Sequence, residues 1–376
     1  MHFATTLIPG FNGNDVFSMF PSDTASTQYY APRIERSPTG FNSRIFVYNE
    51  SDAEVRVSTR FFSPDGRPTA ETIYFPLLVF KGQTLSSQDP LPTLIQALSA
   101  SDPGASSISM VVDTIPVNGS IVIDISEVDH LPPEFIGSAI IEADQPIRVD
   151  VLIANEEQWA IYPAPAEGAT FLHAPLVHEY LPGVLTPTIS LQNIGNAVAE
   201  VTIHPSTGPV LGSITLPVLG SEKYLLLAPY TDSYVIESTQ PIVAVVGTDG
   251  LGGSSTYTAL ALDQASTFVA APMLFDDYQE WTTDLWIYNT GAVTNTVVIS
   301  FTAAPTGTTT RLTEKIGPHE ARVFGPMLNI EHVVAWMNGE HPILGLVEGN
   351  NPSESLEDRR FSYWAYPVGP LNVQAP

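Results

Sequence analysis

Four carboxylates, Asp276, Asp277, Glu280 and Asp284, fall within nine residues. Hard oxygen ligands at that density suit Ca²⁺, which takes roughly six to eight of them. Asp124, Glu127 and Asp129 form a second cluster upstream. Neither follows the spacing of a calcium-binding loop, so solvating charge on exposed loops is the competing reading. Four histidines stand beside a glutamate, at His178-Glu179, His319-Glu320, Glu331-His332 and Glu340-His341. Neighbours on a strand point to opposite faces, so these pairs are not acid–base dyads. The nearest approach to a nucleophile elbow, Gly252-Gly253-Ser254-Ser255-Thr256, lacks the final glycine. Neither a phosphate-cradling glycine loop nor a His-Glu-x-x-His motif occurs. Two carboxylates roughly 5–9 Å apart would serve a glycosidase, and spacing alone leaves that pairing open. The absence of cysteine removes disulfide frameworks, thiolate metal sites and thiol nucleophiles together. The residues predict no enzyme, with Ca²⁺ as the one candidate cofactor.

The elements that position these residues are strands. In Leu285-Trp286-Ile287-Tyr288-Asn289, Leu285, Ile287 and Asn289 share one face and the two aromatics the other. The pattern recurs three times. An Ala-Pro at 31–32, 174–175 and 271–272 is followed 17 or 18 residues later by a strand-closing Asn49, Asn193 or Asn289. A β-branched strand follows each, then a turn at Asp65-Gly66, Thr207-Gly208 or Thr306-Gly307. Later come Gln145-Pro146-Ile147, Gln240-Pro241-Ile242 and His341-Pro342-Ile343. Each copy ends at Trp159-Ala160, Tyr257-Thr258-Ala259 or Tyr363-Trp364-Ala365. Pro175 and Pro272 are 97 residues apart, Pro32 and Pro175 143, so the first copy carries about 46 extra. The spacing puts this insertion at about 77–118, with a short helix over Pro92–Leu98. Asp65-Gly66, Asn118-Gly119 and Asn338-Gly339 read as hairpin turns with a positive φ at the glycine. About seven short strands per copy predict an all-β chain of three tandem immunoglobulin-like β-sandwich domains. Their expected bounds are 29–168, 169–266 and 267–376, behind an N-terminal arm at 1–28.

The run Trp281-Thr282-Thr283 through Asn289-Thr290-Gly291, with Gln240-Pro241-Ile242, resembles tandem β-sandwich repeats of bacterial cell-surface and secreted proteins. The resemblance covers all three copies and implies extracellular display, adhesion or assembly; it carries no catalytic residues. The first copy departs from it at Phe41, which stands where the third has Trp281.

The chain has 376 residues and a formal charge of −26, which argues against nucleic-acid or anionic-membrane surfaces. Residues 72–310 hold three basic residues against 24 acids, and both ends are nearly balanced. Arg56 and Arg60 alternate with apolar residues on one strand, so one face displays both. They meet the acidic middle of another copy, or pair locally with Glu54, Asp65 or Glu71. The arm carries Phe3, Leu7, Phe11, Phe17 and Phe20, too apolar for a solvated tail. It packs on the first domain or on a neighbouring subunit by strand addition. Trp281, Trp286 and Trp364 would serve as stacking platforms if the partner were a cell-surface glycan. Asn49-Glu50-Ser51 and Asn118-Gly119-Ser120 fit the glycosylation acceptor pattern. With no basic leader or apolar run of membrane-spanning length, the expectation is an extracellular or cell-surface protein, its leader removed, that polymerises through the arm and sheet edges into a filament, sheath or surface layer. The alternatives are an adhesion or carbohydrate-binding module and an accessory region of a larger secreted enzyme.

Overall fold

The computed structural model describes residues 25–68, 73–74, 110–129, 131–250, 253–278, 280–303, 306–325, 333–351 and 360–368. The arm residues 1–24 and the expected helix at 92–98 lie outside them. Almost everything described is strand, in three sheets of eight, seven and nine strands. The only helical turns among the described residues are of the 3-10 type, at Ile125–Glu127 and Leu262–Gln264. No described helix is long and apolar enough to cross a membrane.

The first module holds β1 (Ser26–Arg36), β2 (Asn42–Asn49), β3 (Val55–Phe62), β4 (Ile73–Tyr74), β5 (Met110–Ile115), β6 (Ser120–Asp124), β7 (Phe135–Ala154) and β8 (Trp159–Pro163). The second holds β9 (Ala169–Val177), β10 (Leu185–Asn193), β11 (Ala199–Pro205), β12 (Gly212–Leu216), β13 (Ser221–Leu225), β14 (Asp232–Gly250) and β15 (Gly253–Thr258). The third holds β16 (Ser266–Leu274), β17 (Asp276–Tyr278), β18 (Trp281–Asn289), β19 (Asn295–Ala303), β20 (Thr309–Ile316), β21 (Ala321–Phe324), β22 (Val333–Asn350), β23 (Arg360–Trp364) and β24 (Tyr366–Pro367). Apart from the parallel pair β4–β5, the ladders are antiparallel. Alternation sets the facing: along β19, Val297, Ile299, Phe301 and Ala303 are buried and the residues between are half-exposed. Each module has its own apolar core.

One long strand organises each module by changing partners midway. β7 pairs with β3 up to Ala143 and with β2 from Ile147. β14 leaves β11 at Ser238 and joins β10 at Ile242, and β22 leaves β19 at Gly339 and joins β18 at Ile343. The exposed Pro146, Pro241 and Pro342 sit in these gaps. Proline has no N–H to give a ladder, so it occupies the one place where none is asked for. The isoleucine after each is fully buried.

Asn49, Asn193 and Asn289 are braces. Each Nδ2 donates to three carbonyls: for Asn49 those of Ala53, Ile115 and Pro116 at 2.7, 3.1 and 3.0 Å. Asn193 reaches Ala197, Leu216 and Pro217, and Asn289 reaches Val293, Ile316 and Gly317, at nearly the same distances. Each Oδ1 accepts the N–H two residues on. Asn49 is 3% exposed and its amide nitrogen is occupied, so it does not suit glycan attachment.

Four expectations need correction. Met110–Ile115 pair with β3 as β12 pairs with β11, so the insertion ends before residue 110 rather than at 118. Ser26–Gln28, assigned to the arm, begin β1. In the Asn118-Gly119 turn the positive φ, 54°, falls on Asn118, a residue that tolerates the left-handed region better than most. Asn338-Gly339 is no turn; it lies within β22. Asp65-Gly66 does turn as expected, with Gly66 at φ 78°.

Candidate functional site

The acidic run at 276–284 forms a hairpin. Asp276 pairs with Thr282 across β17 and β18, and Glu280 turns the chain at φ 68°. Asp284 points outward from β18 directly opposite Glu348 of β22. Among the described residues no three His, Asp or Glu side chains converge as a metal site. In the second acidic cluster, Asp124 caps the 3-10 turn by accepting from Ser126 N at 3.0 Å, and takes Arg44 Nε at 2.7 Å. Burial pushes its carboxyl up, but Ser126 and Arg44 together bring it below the usual range.

Arg60 meets an acid that sequence spacing did not single out, Glu142 on the adjacent β7, at 2.7 Å. Arg56 is exposed, and its backbone N–H donates to Asp144. Phe3, Leu7, Phe11, Phe17 and Phe20 fall outside the described residues. The tryptophans offered as glycan platforms are packing groups. Trp281 lies 5.2 Å from the Phe361 ring, and Trp286 and Trp364 pack against the core of the second module. The aromatic that closes the first copy is Tyr162 rather than Trp159. Tyr162, Tyr257 and Tyr363 pair with Val151, Val246 and Val347 at the same place in each module. Each donates its hydroxyl to a backbone carbonyl of the first long strand, at Arg33, Leu176 and Met273.

The side chains that the fold gathers lie at the junctions between modules, and both junctions use the same strands. β1 lies across β10 and β14; β9 lies across β18 and β22. β8 runs beside β15, and β15 beside β23. Val245 of the second module joins the first module's core, and Leu346, at the same position of the third, joins the second's. Polar ties line the seam: Thr258 Oγ1 donates to Pro163 O, and Trp364 Nε1 to Thr258 O.

At the first junction, fully buried Arg33 gives Nε to Glu35 at 2.6 Å and Nη2 to Asp249 at 3.1 Å. Lys223, one of three lysines, reaches Glu35 at 2.8 Å. Burial alone would disfavour each charge, but the partners outweigh it. The guanidinium pKa is raised by Asp249 and Glu35, and both carboxyls are lowered by Arg33 and Lys223. Two positive and two negative groups thus close a neutral set. A cleft of about 260 Å³ beside it is lined by Arg33, Lys223, Ser190, Ser221 and Glu222, among others. Arg33 Nη1 and Ser190 Oγ, both buried, find no partner among the described residues, and such groups ordinarily bind water.

At the second junction His178 Nε2 lies 2.8 Å from Glu348 Oε1, and Ser255 Oγ meets the same oxygen at 3.4 Å. Burial first, and then the Glu348 charge, raise the Asp284 carboxyl, while His178 opposes them. Serine and histidine both address the carboxylate instead of each other, so the group lacks the serine–histidine contact that a nucleophilic triad requires. Deeper in this seam His173 is 0% exposed, 4.9 Å from the rings of Phe171 and Tyr288. Neither ring nitrogen has a hydrogen-bond partner among the described residues.

No protein-family model and no curated protein matches this chain. The solved structure of Thermotoga maritima 1070 aligns over 28% of this chain and 96% of its own, at 12% identity and a TM-score of 0.24. A likeness of that size carries no argument about fold or function.

Proposed function

We propose that this chain is a structural subunit, a rod of three immunoglobulin-like sandwiches that coheres with further copies of itself outside the cell. The observation that carries this reading is the recurrence of one junction: the same strands join module one to two and two to three. A surface that twice binds its own kind in one chain is suited to do so between chains, and heterologous contacts of this sort propagate unless their rotation closes. The gathered charges support cohesion rather than turnover, since Arg33, Glu35, Asp249 and Lys223 neutralise one another across a seam. The low charge fraction, 14%, leaves strand edges with few of the lysines that ordinarily block association. Negative-stain microscopy and light scattering of the purified chain test the reading. Ordered polymers are expected; monodisperse rods at every concentration and ionic strength would remove it.

A further inference from the structure

Both junctions use the same strands, yet they are filled differently. Counting back from the bracing asparagines, Ser190 of β10 stands where Trp286 stands on β18. Ser190 pairs with Val245 and Lys223, and Trp286 with Leu346 and Val323, so the two residues occupy the same rung of their sheets. The Trp286 indole packs against the second module's core across the second junction. At the first junction a serine hydroxymethyl stands in place of the indole, and the cleft of about 260 Å³ lies beside it. The first strand of the module differs in step. Arg33 stands where Leu176 stands, each directly after the proline of its Ala-Pro. A large apolar pair at one seam is thus a serine and a guanidinium at the other.

The cleft has walls of two kinds. Pro32, Pro64 and Ile136 are apolar, and Ile136 is 52% exposed. The polar lining is short of partners. Ser190 and Arg33 are almost wholly buried, yet neither Ser190 Oγ nor Arg33 Nη1 has a hydrogen-bond partner among the described residues. A buried guanidinium N–H left unmatched is costly, so the cleft calls for an acceptor. Arg33, Lys223, Glu35 and Asp249 already balance in charge, and an ion of either sign would unbalance a buried set. A neutral guest with hydroxyl groups suits both partners, because a hydroxyl accepts from Nη1 and takes either role with Oγ. Size narrows the choice further. Pockets for drug-sized ligands begin at about 300 Å³, so about 260 Å³ suits a single ring and exceeds the needs of one bridging water.

We propose that the first junction binds a neutral pyranose, its C–H faces against Pro32, Pro64 and Ile136 and its hydroxyls on Arg33 Nη1 and Ser190 Oγ. The sugar ring takes the place that the Trp286 indole takes at the second junction. It bridges two modules, because Pro64 and Ile136 belong to the first and Ser190 to the second. The site lies within one chain, so it is independent of whether copies assemble.

Titration of the full chain with the methyl pyranosides of glucose, galactose, mannose and N-acetylglucosamine, read on the Ile136 methyl resonances, tests it. At least one glycoside should shift them saturably at millimolar concentration, while the methyl groups of Ile299 in the third module's core stay still. Ser190→Trp, which puts the second junction's residue into the first, should weaken binding at least tenfold. Ser190→Leu, a smaller filler, should weaken it less and serves if the tryptophan variant fails to fold. No saturable shift with any of the glycosides overturns the proposal, because water alone then fills the cleft. So does binding that both fillers leave unchanged, or a shift produced by acetate or phosphate and by none of the sugars.

Discussion

Asn289 shows how one side chain closes a module. Its Nδ2 feeds Val293, Ile316 and Gly317 while its Oδ1 takes the Gly291 N–H. Asn289→Ala leaves these backbone groups unmatched in a buried setting, at about 1–3 kcal/mol. A denaturant melt should show the third module unfolding first, and Asn289→Asp should not rescue it because a carboxylate cannot donate. His173 makes a second residue-scale prediction. Burial holds its pKa down at about 4, with a lesser contribution from His319. A depressed folded pKa gives stability that is complete above the ordinary value near 6.5 and is lost as pH falls towards 4, because the unfolded chain binds the proton first. That loss amounts to about 3 kcal/mol. The difference in stability between wild type and His173→Phe, measured from pH 7 to 4, should narrow or reverse as pH falls; a constant difference would contradict the burial.

The long strands set the geometry at the element scale, and the tyrosines hold the first strand of each module to β8, β15 or β23, the strand paired with the far end of the long one. Tyr257 donates to Leu176 O and accepts the Leu176 N–H at 3.3 Å. Tyr257→Phe keeps the ring and loses both, so it should cost about 1 kcal/mol, read as a shift in denaturation midpoint at constant slope. The repeat of the aromatic was legible in the sequence, but its register in the first module was not. Trp159-Ala160 imitates the aromatic-plus-alanine pattern, and only the pairing of Val151 with Tyr162 identifies the true counterpart. The Pro-Ile steps were legible for a better reason. A missing N–H is a local property, and it limits where proline can stand in any sheet.

At the scale of the molecule the junctions decide whether the modules act as one. Arg33→Met leaves Glu35 and Asp249 in the first junction with Lys223 as their remaining cation. Breaking such a buried set from one side costs about 3–5 kcal/mol. Calorimetry should show the first and second modules melting together in the wild type and separately in the variant. Gly66→Ala should act at the same seam, since Gly66 sits at φ 78° and its added Cβ would lie 2.2 Å from Val218 O of the next module. Its effect should equal that of Arg33→Met in kind, splitting the transition without lowering the third module's.

Strand character, the three copies and the positions of the recurring asparagines and prolines follow from order along the chain, because each depends on alternation or on the chemistry of one residue in its own turn; that the asparagines brace three carbonyls and the prolines mark a change of strand partner came only with the strand pairing. The charge set at the first junction does not follow from that order. Arg33 and Asp249 are 216 positions apart, Glu35 and Lys223 188, and nothing local distinguishes these four from other charged residues. Likewise Asp276 to Asp284 cluster in sequence, yet Asp284 stands directly opposite Glu348 of β22, a neighbour that order along the chain does not bring near it. Proximity along a strand is erased by its alternation, while proximity across a seam exists only once the modules have docked.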